Sequence, residues 1–103
     1  MKNKTNAGVV TKALKANGFT HAQWNKVGVS TWNDGFITER VYNFNDAVAV
    51  TWLFAGYYRD LTADELALTK QNLTEMATTL GERGYVARLM GEENPWLLVE
   101  KSA

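Results

Sequence analysis

Two stretches of this chain end in the same way, and that repeated ending constrains the fold more than any other feature. Leu14-Lys15-Ala16-Asn17-Gly18-Phe19 and Leu80-Gly81-Glu82-Arg83-Gly84-Tyr85 start 66 positions apart. Each sets out an apolar residue, three spacers, a glycine and an aromatic. That is the pattern of a Schellman helix stop. The glycine takes the left-handed conformation that a Cβ disfavours, and the next aromatic folds back on the leucine a turn earlier. Each stop is followed by β-rich sequence. The chain therefore reads as two units, each a helix followed by strands.

The first helix is capped by Asn6 or Thr5 and runs to about Asn17, with Val9, Val10, Ala13 and Leu14 as its apolar stripe. Lys12 and Lys15 lie in its C-terminal half, where they suit the negative end of the dipole. Residues 1–5 are polar and expected to be disordered. Thr20-His21-Ala22-Gln23 matches a capping box and predicts a short helical turn that carries Trp24 and places His21 in its first turn. Val27 to Trp32 alternates weakly. Asn33-Asp34-Gly35 then signals a hairpin turn into a strand from Phe36 to Phe44.

Asn43, Asn45 and Asp46 supply the next turn. Ala47 to Phe54 is apolar on both of its faces, as expected of a central strand. The start of the second helix is the best-specified local feature. Thr62 caps it, Glu65 completes a capping box, and Leu61 can staple to Leu66. Leu66, Leu73, Met76, Ala77 and Leu80 form its buried stripe. Tyr85 to Met90 reads as a strand, Gly91 to Asn94 as a turn, and Trp96 to Lys101 as a final strand. Pro95 places the start of that strand at or near a sheet edge.

These elements predict one small α+β domain over residues 1–103, with an antiparallel sheet of four to five strands and two helices on one face. The order is α-β-β-(β)-α-β-β, the optional strand being Val27 to Trp32. At 103 residues, 46% of them apolar, the chain can bury a real core. It has no cysteine, so packing alone must hold it together, which suits a cytoplasmic protein. The start Met1-Lys2-Asn3-Lys4 has no apolar run after it, so no secretory signal is expected. The longest apolar stretch, Ala47 to Tyr58, is interrupted by Thr51 and Gly56 and is too short to span a bilayer.

The net charge is zero but unevenly spread. Residues 1–33 carry Lys2, Lys4, Lys12, Lys15 and Lys26 and no acid, whereas residues 34–103 carry all 11 acids against six basic residues. Such a dipole can serve as a docking face for a charged partner, or it can be used up between a basic and an acidic helix within the fold.

Catalytic grammar is missing. One His and no Cys leave only carboxylates as further metal ligands, and neither Asp64-Glu65 nor Glu92-Glu93 builds a coordination sphere. No metal and no cofactor are expected. His21 would be the only histidine base, and no recognisable nucleophile motif surrounds the nearby Ser30 and Thr31. Gly81-Glu82-Arg83-Gly84 ends a helix and so is no phosphate cradle. A non-enzymatic protein is expected.

The α-β-β-β-α order of residues 6–82 resembles double-stranded-RNA-binding domains and the small mRNA-interferase toxins built on that fold. Leu14 to Phe19 followed by Gly28 and Ser30 is similar to the toxins' helix, Gly-aromatic and Gly-Ser run. The toxins' catalytic His has no counterpart among Val29, Ser30, Thr31 and Trp32. RNA-binding domains of this type meet phosphates with lysines at the start of the second helix, where this chain has Thr62-Ala63-Asp64-Glu65. A second resemblance covers about residues 5–100. Thr5-Asn6-Ala7-Gly8-Val9, Leu14 to Phe19, Gly35-Phe36, Val48-Ala49-Val50, Leu80 to Val86 and Leu97-Leu98-Val99 resemble a group of small orphan proteins encoded by phages of actinobacteria. Met76 stands near where that group often has a Tyr. The resemblance implies expression in an infected bacterial cytoplasm and carries no activity with it.

The expectation is therefore an interaction protein that binds a bacterial host protein and modulates or inhibits it. Lys12, Lys15, Trp24, Lys26, Trp32, Tyr57 and Tyr58 form its docking surface, because Trp and Tyr in loops and at strand ends often anchor partners. The alternative is a small nucleic-acid-binding protein that uses the lysine-rich N-terminal third. The chain is expected to be a monomer or a homodimer paired through a sheet edge, that of the last strand.

Overall fold

The computed structural model describes residues 6–23, 30–31, 33–41, 47–57 and 60–101. Helix α1 spans Ala7–Ala16, strand β1 Ser30–Thr31, β2 Gly35–Val41, β3 Ala47–Leu53, β4 Gly56–Tyr57, helix α2 Ala63–Glu82, β5 Tyr85–Met90 and β6 Trp96–Lys101. The main sheet is antiparallel, in the order β2-β3-β6-β5, and both helices pack on one of its faces. The expected α+β architecture is the one observed.

Period-two alternation builds the core. Phe36 of β2, Val48 and Val50 of β3, and Leu97 and Val99 of β6 point towards the helices. They meet Val10 and Leu14 from α1 and Leu73, Met76 and Leu80 from α2. Each fully buried large side chain of this cluster stabilises the fold by about 1.5–3 kcal/mol relative to exposure. Helix α1 lies over β2, while α2 lies over β5 and reaches β3 and β6. Trp52, opposite Phe36, packs half-buried against the cluster with its Nε1 buried and unpartnered.

Both helix stops form. At the first, Gly18 has φ 90°, the Phe19 amide donates to the Leu14 carbonyl at 3.1 Å, and the Gly18 amide donates to the Lys15 carbonyl at 3.1 Å. At the second, Gly84 has φ 88° and donates to the Gly81 carbonyl at 3.2 Å. Phe19 and Tyr85 both pack against the core. The start of α2 is also as read, with the Glu65 amide donating to Thr62 Oγ1 at 3.2 Å and the Thr62 amide to Glu65 Oε1 at 3.0 Å.

Four expectations need correction. First, Thr20 to Gln23 opens no helical turn. The Phe36 amide donates to the Thr20 carbonyl and the Ala22 amide to the Phe36 carbonyl, each at 2.9 Å, so His21 forms a parallel bridge to β2. Second, Asn33-Asp34-Gly35 joins no hairpin. Strand β1 pairs with β4 in a separate two-stranded sheet, and Gly35 already belongs to β2. Third, the last strand offers no edge for a dimer: Leu97 to Glu100 of β6 pair with both β3 and β5, while Trp96, next to Pro95 as expected of the strand's start, and Lys101 pair with β5 alone. Fourth, Val9 leaves the apolar stripe and is 51% exposed, because Val10 and Leu14 direct the opposite side of α1 at the sheet. The buried stripe of α2 gains Thr69, whose hydroxyl donates to the Glu65 carbonyl at 2.8 Å and so can be buried at little cost.

Candidate interaction surface

The surface begins with how α1 is held. Asn6 Oδ1 caps it, accepting from the amides of Gly8 at 2.7 Å and Val9 at 3.3 Å. Thr11 and Thr38 share a hydroxyl hydrogen bond of 2.7 Å, and Thr38 Oγ1 donates to the Ala7 carbonyl at 3.4 Å. These bonds and the burial of Val10 and Leu14 fix the rotation of the helix about its axis. At 100° per residue, Gly8, Val9, Lys12, Lys15 and Ala16 then share its outer face, and all five are exposed.

That face has no acid, and α1 has none in its first turn. Among the described residues neither Lys12 nor Lys15 has an ion-pair partner, on α2 or elsewhere. The two lysines of the basic N-terminal third that lie on α1 therefore form a surface, with Val9, the most exposed large apolar side chain among the described residues, beside them.

Beyond the helix stop, the chain returns to β2 and places His21 next to this face. Its ring meets Phe36 edge-on, with centroids 5.1 Å apart and planes at 84°. Burial holds its pKa below the ordinary value, and the Lys15 ammonium adds to the effect by disfavouring a second positive charge nearby. Asn33 ties this segment down: its Oδ1 accepts from the Gln23 amide at 2.9 Å and its Nδ2 donates to the His21 carbonyl at 3.2 Å. Asp34 Oδ1 accepts from the Ala55 amide at 2.7 Å and draws in the approach to β4.

Of the seven residues expected to form the docking surface, the structure brings Lys12 and Lys15 together on α1. Trp24, Lys26, Trp32 and Tyr58 lie outside the described residues, and Tyr57 is placed by its backbone alone, paired with Ser30 in β4. Val9 is the residue that the sequence reading missed. Its spacing from Lys12 and Ala16 was the available signal, but valine next to valine reads first as core. Among the described residues, no three His, Cys, Asp or Glu side chains come together to hold a metal, and no helix is long and apolar enough to cross a membrane. No protein-family model, curated protein or solved structure matches the chain.

Proposed function

We propose that this chain is a non-enzymatic interaction protein that docks on an acidic surface of a bacterial host protein and modulates or inhibits it, as a phage-type protein acting in the host cytoplasm. The observation that carries this reading is the outer face of α1: Lys12 and Lys15, both without ion-pair partners among the described residues, beside the exposed Val9. An acidic partner gains charge-assisted contacts to both ammonium groups, and burial of Val9 adds an apolar contact at the same place. The capping and threonine bonds that fix α1 before binding reduce the ordering cost of docking.

Lysines without acidic neighbours also suit phosphates, which supports nucleic-acid binding as the second reading. Val9 favours the protein partner, because a phosphate backbone offers an apolar side chain little to pack against. Affinity capture from nuclease-treated bacterial lysate distinguishes the two. A stoichiometric host protein that survives the nuclease is the expected result. Recovery of nuclease-sensitive material alone, with a salt-sensitive gel shift, would replace the protein partner with nucleic acid.

A further inference from the structure

The two edges of the main sheet are treated differently. Both edge strands lie beneath a helix, β2 under α1 and β5 under α2, but β2 is also covered at its start by the parallel bridge from His21 and carries the exposed charges Glu39 and Arg40. Strand β5 has no such cover: all six of its residues pair in regular register with β6, and no described strand lies beyond it. It has no proline or bulge, and Arg88 is its only charge. Val86 is 42% and Leu89 44% exposed. Edges left this regular are templates for another strand.

We propose that a second copy of this chain occupies the edge, with β5 pairing antiparallel to its own symmetry mate and Ala87 facing Ala87 at the two-fold axis. This proposal is independent of the docking face on α1. Side chains that face each other across an antiparallel pair share a face of the sheet, so only registers that match like faces are open. Centring on Arg88 would oppose two arginines directly. Centring on Ala87 sets Tyr85 against Leu89 and Val86 against Arg88, so the two exposed apolar side chains are covered.

Charge also favours this register. Glu100 of β6 is the partner of Val86 across β5 and β6. The Arg88 of the second copy would stand on the far side of Val86, about 10 Å from Glu100 between Cα atoms at normal strand spacing. Two long side chains of opposite charge can meet over that valine, and the symmetry repeats the pair. The result is one continuous eight-stranded sheet. In this register Tyr85 to Leu89 pair within β5 and Met90 faces Gly84 beyond it; so short a pairing makes a small interface, and association should depend on concentration.

Sedimentation of the full chain from micromolar to near-millimolar concentration tests this. The mass is expected to rise from 11.5 kDa towards twice that value. Val86→Arg, which opposes like charges, should hold it at one chain while the circular dichroism spectrum stays unchanged. Arg88→Glu should weaken association about tenfold, and adding Glu100→Arg should restore it. A mass that never rises, a dimer indifferent to Val86→Arg, or a charge swap that restores nothing would overturn the proposal. So would a chain that stays monomeric while Val86→Arg abolishes binding of an extended peptide from another protein, since the edge would then belong to that peptide.

Discussion

Gly35 shows how a residue can be needed for a reason its sequence context hides. Asn33-Asp34-Gly35 reads as a turn that requires positive φ, yet Gly35 is a strand residue with no positive φ. A Cβ there would meet the Ala22 nitrogen at 2.5 Å, the Thr20 oxygen at 2.6 Å and the His21 carbonyl carbon at 2.8 Å. All three are backbone atoms of the segment bridged to β2, so none can swing aside. Gly35→Ala should cost about 3 kcal/mol in urea unfolding. Gly81→Ala should do the opposite and stabilise by about 0.5–1 kcal/mol, because a Cβ there meets nothing within 4 Å and the residue is helical. His21 gives a pH dependence. Its folded pKa lies below the ordinary 6.5, first through burial and then through Lys15. As pH falls from 6.5, the unfolded chain takes up the proton first. The stability contributed above that value is therefore lost as pH falls towards and through the folded pKa. Lys15→Gln should raise the His21 pKa in an NMR titration without returning it fully, because burial remains.

At the scale of elements, legibility follows the range of the interactions. The start of α2 depends on Thr62 and Glu65, three residues apart, and both helix stops depend on a leucine, a glycine and an aromatic within six positions. Such features are written locally and could be read directly. Thr62→Ala should cost about 1 kcal/mol and lower the thermal midpoint accordingly, since the Glu65 amide loses its acceptor. The central position of β3 was legible as well, because a run as apolar as Ala47 to Leu53 suits a strand flanked by another on each side, as β2 and β6 flank it. The partners of β1 and the interior position of β6 were not. β1 spans only two residues, and its partner, β4, lies beyond β2 and β3 in the chain. Pro95 speaks only for the start of β6, where Trp96 pairs with β5 alone, whereas Leu97 to Glu100 are paired on both sides. A proline restricts its own position and says little about the residues after it. The rotation of α1 was half legible. Val10 and Leu14 mark the core side, but only the sheet beneath decides that Val9 falls outside it.

For the whole molecule, the separation of charge along the sequence becomes a surface on α1, which presents two lysines and an exposed valine and no acid. The aromatic half of the expected docking surface, Trp24, Trp32 and Tyr58 together with the Tyr57 side chain, lies outside the described residues, and α1 carries the described half. The direct measurement compares partner capture by two variants of equal charge change: Lys12→Glu with Lys15→Glu on α1, and Lys70→Glu with Lys101→Glu elsewhere on the exposed surface. Both should fold, as judged by circular dichroism. The α1 pair should lose the captured host protein by tenfold or more, on the order of 1.4 kcal/mol, while the control pair retains it. Equal retention by both variants, or equal loss from both, would contradict docking through α1, because binding would then depend on another surface or on net charge alone.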